Sequence, residues 1–130
     1  MKAFTMIELI FVIVILGILA AVAIPRLAAT RDDAEIVKVA TNIQTLVQDV
    51  GGYYISQAKF ASDISQMTNV QNPIIVRNET CAEMVVMDTN ETKLIMYKNG
   101  DICRKVWESS NLKNIEHMLF SGGIIFIEVK

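Results

Sequence analysis

The chain has 130 residues, of which 52% are hydrophobic, and a formal net charge of −2 at pH 7. Its 12 basic and 14 acidic residues are interspersed, whereas nucleic-acid binding needs clustered positive charge to displace counterions from phosphates. Two cysteines and one histidine are too few ligands for a structural zinc site. The single histidine, His117, has no serine, cysteine or carboxylate placed by the sequence to complete a catalytic group with it. We therefore expect a protein that is not an enzyme, carries no cofactor or metal, and makes no direct contact with nucleic acid.

Residues 3–25, AFTMIELIFVIVILGILAAVAIP, form an apolar run with one acidic residue, Glu8. As a helix, residues 4–24 span about 30 Å, the thickness of a hydrocarbon core, so the run predicts a transmembrane helix. A buried helix in a soluble domain is disfavoured, because so small a chain could hardly bury a helix that is apolar on every face. A cleaved secretory signal is the other alternative, with Lys2 as its basic start and residues 21–23 as its cleavage site, although its apolar segment exceeds the usual length.

The start of this run has a specific order of elements. Residues 3–9 read AFTMIEL, and the apolar segment continues through Gly17 to Pro25. In this order and spacing, residues 3–34 closely resemble the class III leader and amino-terminal helix of type IV pilins and type II secretion pseudopilins. The resemblance implies that prepilin peptidase cuts between Ala3 and Phe4 and methylates the new amino group of Phe4. Ala3 departs from the glycine that usually precedes the cut in this family.

Glu8 is the residue that this resemblance explains. An ionised carboxylate deep in a bilayer costs about 2.5–3.5 kcal/mol on insertion scales. In the family, the corresponding glutamate pairs with the amino-terminal amine of a neighbouring subunit, so the resemblance assigns subunit assembly to Glu8 and Phe4. A simpler alternative is that Glu8 reaches the lipid headgroups from the end of the span. Gly17 and Pro25 are positions where we expect the helix to loosen or kink.

The resemblance implies a structural subunit of a type II secretion pseudopilus or type IV pilus-like filament. Its expected partners are prepilin peptidase, other pilin or pseudopilin subunits, an inner-membrane assembly platform and membrane lipid. The implied location is the bacterial inner membrane, crossed once, with the amino terminus cytoplasmic and the head periplasmic. Basic residues after the span oppose this orientation under the positive-inside rule, but processing requires Lys2 on the cytoplasmic face. Two alternatives remain: a minor pilin for DNA uptake or adhesion, and a monomeric membrane-tethered periplasmic domain.

Beyond Pro25 the sequence predicts an amphipathic continuation of the helix. Gly51 and Gly52 supply a stop signal, with room for one more turn after them. We divide the chain into a leader over 1–3, a transmembrane helix over 4–24, an amphipathic continuation over 25–57 and a globular head over 58–130. The apolar positions of the continuation recur at spacings of three and four: Ile36, Val39, Ile43, Leu46, Val47 and Val50.

The sequence of the head predicts a small antiparallel sheet. The predicted fold class is α+β and pilin-like, with a long N-terminal α-helix, transmembrane in its first half, packed on that sheet. Asn99-Gly100 is a strong two-residue hairpin signal, and a hairpin there would place Lys98 opposite Asp101. Four segments are rich in apolar and β-favouring residues: 81–87, 93–98, 102–108 and 124–129. Short helices are expected around 62–67 and over 110–120, the second ended by residues 121–123.

Two features of the head concern covalent chemistry. Cys81 and Cys103 predict a disulfide, which would stabilise the fold by about 3 kcal/mol in the chain-entropy model. In a simple meander, however, their strands would lie about 10 Å apart, so two free buried thiols remain the alternative. Asn-x-Thr acceptors occur at Asn78 and Asn90. The segment DTNET around Asn90 also resembles the acidic, extended acceptor of some bacterial N-glycosylation systems, and a plain polar turn is the alternative.

Overall fold

The computed structural model describes residues 3–115 and 124–129. The chain is α+β, as predicted: a long N-terminal helix is packed on a small four-stranded sheet. It divides between Glu35 and Ile36 into two compact units. The helices are α1 (Met6–Gln57) and α2 (Asp101–Glu108), with a short 3-10 helix at Ile64–Gln66, and the strands are β1 (Ile74–Val76), β2 (Glu79–Val86), β3 (Thr92–Tyr97) and β4 (Ile124–Val129).

The first unit carries the apolar half of α1. Every described side chain from Ala3 to Ala34 is exposed, including all the apolar side chains of the run. This helix is long and apolar enough to cross a membrane, which is compatible with a single-pass membrane protein. The α-helical backbone continues through Pro25. The missing N–H of this proline therefore does not end the helix.

In the second unit, α1 buries one face against the sheet. The predicted stripe is confirmed, because its members from Val39 onward are buried and Ile36 packs at its margin. The helix passes Gly51 and Gly52 and ends at Gln57. Ala58, with φ of 58°, then takes the left-handed conformation in which helices commonly end. The buried residues of this stretch are Val39, Ala40, Ile43, Leu46, Val47, Val50 and Gly51.

The sheet is mixed, not wholly antiparallel as predicted. Its strand order is β1-β2-β3-β4. β2 pairs antiparallel with both β1 and β3, whereas β3 and β4 run parallel, with Thr92 opposite Ile124 and Tyr97 opposite Val129. A parallel pair needs a crossover connection, and α2 lies in the connection between β3 and β4.

The predicted strand over 102–108 is wrong, because this segment is helix α2. Its buried residues are Cys103, Val106 and Trp107, and spacings of three and four are those of one helical face. Gly100 is the N-cap of α2, not a hairpin residue. Within the described residues, the predicted charge pair between Lys98 and Asp101 is not formed. Lys98 instead forms an ion pair with Glu128 at 3.3 Å, and Asp101 forms one with Arg104 at 3.2 Å.

The disulfide between Cys81 and Cys103 is present, with the two Cα atoms 5.0 Å apart. The wide separation expected for cysteines on two strands of a meander does not arise, because Cys103 lies on a helix packed over β2. Trp107 packs beside it and donates from Nε1 to the Cys81 carbonyl oxygen at 2.9 Å. The disulfide therefore ties α2 to β2 inside the core.

The two predicted short helices have different outcomes. The first is present in reduced form as the 3-10 helix Ile64–Gln66, capped by the Asp63 side chain. In the second, residues 110–115 form successive turns that bury Leu112 and Ile115. Residues 116–120 of that prediction, and its predicted end at 121–123, lie outside the described residues.

Candidate functional site

The start of α1 is a reciprocal capping box formed by Thr5 and Glu8. The Thr5 backbone N–H donates to Glu8 Oε2 at 2.8 Å, and the Glu8 backbone N–H donates to Thr5 Oγ1 at 3.3 Å. Two of the backbone donors that a helix leaves unpaired at its first turn are thus satisfied. The Glu8 carboxylate also lies in the first turn of α1, where an acidic side chain stabilises a helix by interacting with its dipole.

Our sequence interpretation missed this capping role. The signal was present, because Thr5-x-x-Glu8 has the Ser/Thr-x-x-Glu spacing of a capping box before an apolar run. Glu8 thus caps the helix within a single chain, whatever role it has between chains. An experiment on Glu8 must therefore separate the loss of the cap from the loss of the charge.

The residues predicted for processing lie directly before the helix. Ala3, Phe4 and Thr5 are not helical, and the Phe4 side chain is 91% exposed. The bond between Ala3 and Phe4 therefore lies outside the helix at an exposed position, where a protease can reach it. Lys2, on which the predicted orientation depends, lies outside the described residues.

Gly17 and Pro25 lie further along the exposed part of α1. A Cβ added at Gly17 would meet nothing within 4 Å, so no contact inside this chain requires glycine there. A small residue on a lipid-facing helix lets a second helix approach closely. Packing within the chain thus leaves Gly17 free for contact with another helix.

The other predicted site residues lie in the second unit. Cys81 and Cys103 are fully buried, and their disulfide has a structural role. Asn90 is exposed in the loop between β2 and β3, where its N–H donates to Asp88 Oδ1 at 2.7 Å. Within residues 3–115 and 124–129, no group of three or more His, Cys, Asp or Glu side chains could hold a metal ion.

No family model, curated protein or solved structure matches the chain. The features that bear on function are therefore the motif at residues 3–9, the exposed apolar helix and the geometry around Glu8.

Proposed function

We propose that the chain is a structural subunit of a type II secretion pseudopilus or type IV pilus-like filament, processed by prepilin peptidase and assembled through α1. The main support is the exposed, non-helical AFT segment followed at once by a helix that is apolar on every face through Ile24. Such a helix needs lipid or other helices around it. Storage in a membrane followed by packing against other subunits supplies both environments.

Processing would place a new charge next to Glu8. Cleavage after Ala3 makes Phe4 the first residue, so its amine lies one residue before Thr5, whose N–H already bonds the Glu8 carboxylate. Methylation of that amine leaves its positive charge in place. The mature chain would therefore carry a cation two residues before α1 and an anion in the first turn of α1.

Assembly then follows from the electrostatics of a low-dielectric environment. An amine and a carboxylate from different chains attract strongly away from water, and either charge alone is costly there. A subunit whose Glu8 meets the Phe4 amine of a neighbour is favoured over one that is displaced along the helix axis. Gly17 and the alanines at 20, 21 and 23 would let the helices approach closely enough for this contact.

The proposed location is the bacterial inner membrane, with the amino terminus in the cytoplasm and the head in the periplasm. The buried Cys81–Cys103 disulfide supports an oxidising compartment for the head. The proposed partners are prepilin peptidase, other pilin or pseudopilin subunits, an inner-membrane assembly platform and membrane lipid.

A second candidate is a monomeric membrane-tethered periplasmic domain. The capping box favours it, because Thr5 gives Glu8 a hydrogen-bonded position that requires no second chain. The two candidates differ in whether the charge of Glu8, and not only its capping oxygen, is needed.

The test uses two substitutions of Glu8 in the full chain in a bacterial membrane. Glu8→Gln keeps an oxygen that can accept from the Thr5 N–H but removes the charge, whereas Glu8→Ala removes both. We expect both variants to insert into the membrane and both to lose cross-linking between copies through cysteines introduced near Gly17. Normal cross-linking of Glu8→Gln would refute charge pairing as the basis of assembly. Absence of cross-linking when Glu8 is unchanged would refute assembly and favour the tethered monomer.

Processing is tested separately by intact-mass and amino-terminal peptide analysis of the membrane-bound wild-type chain. The expected chain begins at N-methylated Phe4. A chain that begins at Met1, or after Ala23, would refute the proposed processing. This result does not depend on whether assembly succeeds.

A further inference from the structure

Thr92 carries a buried hydroxyl that the fold does not use. It is the first residue of β3, is 0% exposed, and lies between Val86 of β2 and Ile124 of β4. Its Oγ1 has no hydrogen-bond partner among residues 3–115 and 124–129. A buried polar atom in this state is destabilising and calls for an explanation.

Valine would suit this position better for folding alone. It has the shape of threonine with a methyl group in place of the hydroxyl, it favours strands, and it leaves no polar atom without a partner. Within the described part of the folded head, the hydroxyl of Thr92 therefore makes no stabilising hydrogen bond. A purpose before folding would explain it.

The sequence around Thr92 indicates what that purpose is. Asn90-Glu91-Thr92 is an N-glycan acceptor, in which the third residue must carry a hydroxyl, and Asp88 lies two residues before the asparagine. The Asn90 side chain is exposed at the loop tip. The unexplained hydroxyl thus occupies the position where this acceptor needs one.

In the folded head, the acceptor segment is held in a conformation that an enzyme cannot bind. The N–H groups of Met87 and Asp88 both donate to the Glu91 carbonyl oxygen, and the Thr89 carbonyl oxygen accepts from the Phe60 N–H at 2.7 Å. The loop is therefore a hydrogen-bonded turn, not the extended chain that an enzyme can bind. Thr92 is held between two strands, out of reach of any enzyme.

We propose that Asn90 is an N-glycan acceptor that is modified before the head folds. The donor is a polyprenyl-pyrophosphate-linked oligosaccharide, and a membrane-bound oligosaccharyltransferase catalyses the transfer. The Asn90 amide nitrogen bonds to C1 of the first sugar, the bond from C1 to the pyrophosphate oxygen breaks, and the amide loses one proton as the lipid pyrophosphate leaves. No oxidant or reductant is needed. The proposal depends on an exported head, but not on filament assembly.

The second acceptor in the chain, Asn78-Glu79-Thr80, is an internal comparison. Val76, not an acidic residue, lies two positions before Asn78. Asn78 itself has a φ of 66° in the turn between β1 and β2. An enzyme that prefers the acidic, extended acceptor should therefore choose Asn90 over Asn78.

The test uses the purified full chain in detergent, a bacterial oligosaccharyltransferase that accepts acidic acceptors, and a lipid-linked oligosaccharide. We expect the reduced and urea-unfolded chain, diluted into the assay, to be modified at Asn90. We expect the folded, disulfide-bonded chain to be modified at least about tenfold more slowly, because it must open locally first. Peptide mass spectrometry locates the glycan. No glycan on Asn90 in the unfolded chain, or equal rates in both states, would overturn the proposal.

Three variants make the test specific. Thr92→Ser keeps the hydroxyl and should be modified, whereas Thr92→Val and Asn90→Gln should not be. Thr92→Val should also unfold at the same temperature as the wild type or above it, since the hydroxyl has no partner among the residues that the structure describes. A lower unfolding temperature for Thr92→Val would assign the hydroxyl a folding role and overturn the argument.

Discussion

The Asn72 side chain completes the edge of the sheet. Its Nδ2 donates to the Met84 carbonyl oxygen at 2.8 Å, and its Oδ1 accepts from the Met84 N–H at 2.9 Å. Strand β1 pairs Ile74 with Ala82, two residues back along β2. The amide of Asn72 therefore takes the place of the next backbone pair in this ladder, and the Met84 backbone is satisfied although β1 does not extend to it.

Asn72→Ala should destabilise the head more than most substitutions at the edge of a sheet do. It removes two hydrogen bonds, each contributing about 0.5–1.5 kcal/mol, and leaves two backbone groups of a buried residue without these partners. Because water can reach part of an edge strand, we expect a loss of about 2–3 kcal/mol in the free energy of unfolding. In a folding unit of this size, that loss lowers the unfolding temperature by about 10–20 °C.

The assay is thermal and urea unfolding of the full chain in detergent micelles, followed by the fluorescence of Trp107. This residue is the single tryptophan of the chain and is 6% exposed in the core. Asn72→Asp keeps the shape and one acceptor but cannot donate to Met84, so it should lose nearly as much stability. Gln71→Ala, at an exposed neighbour, is the matched control and should change stability by less than about 0.5 kcal/mol. An Asn72→Asp variant as stable as the wild type would show that the Asn72 amide donor does not stabilise the edge of the sheet.

Two further stability predictions concern the contacts of α2. Reduction of the Cys81–Cys103 bond, which closes a loop with a sequence separation of 22, should lower the free energy of unfolding by about 3.4 kcal/mol in the chain-entropy model. Substitution of both Cys81 and Cys103 by alanine should lower the free energy of unfolding at least as much in the same assay. A loss below about 1 kcal/mol would show that closing this loop does not stabilise the fold as the chain-entropy model predicts. Gly100 has an ordinary φ of −92°, but an added Cβ would lie 2.6 Å from Glu79 Cδ. Gly100→Ala should therefore cost up to about 1 kcal/mol more in the wild type than when Glu79→Ala is also present, because the carboxylate must move aside; the cost of alanine at the N-cap remains in both backgrounds. Equal costs in the two backgrounds would show that the carboxylate is not the obstacle.

Patterns that depend on near neighbours could be predicted directly from the sequence. The apolar run of α1 is long enough for a membrane, and its amphipathic continuation repeats every three to four residues. Strands β2, β3 and β4 were each found within two residues of their observed ends. Period and composition are local properties of the chain, so no long-range contact is needed to see them.

The capping box was also local, but its meaning was ambiguous. Thr5 and Glu8 have the required spacing, yet a glutamate in an apolar run also fits a membrane charge awaiting a partner. The structure shows the capping hydrogen bonds. The Glu8→Gln variant distinguishes the two roles, because it separates the oxygen from its charge.

Helix α2 shows where local signals disagree. Residues 102–108 are rich in β-favouring side chains and follow Asn99-Gly100, so turn chemistry and composition both predicted a strand. The spacing of Cys103, Val106 and Trp107 favoured a helix, and burial of that face against β2 decided between them. Tertiary packing can override a propensity difference of about 1 kcal/mol per residue.

Local patterns in the sequence were enough to predict the apolar helix, its amphipathic continuation and the motif at residues 3–9. The parallel direction of β4 against β3, the approach of Cys103 to Cys81 from a helix, and the burial of the Thr92 hydroxyl without a partner among the described residues became known from the three-dimensional structure. The two groups of properties differ in the distance along the chain over which they arise. Side-chain periodicity arises between neighbours, whereas strand direction, cysteine pairing and burial arise from contacts between segments that are far apart in sequence.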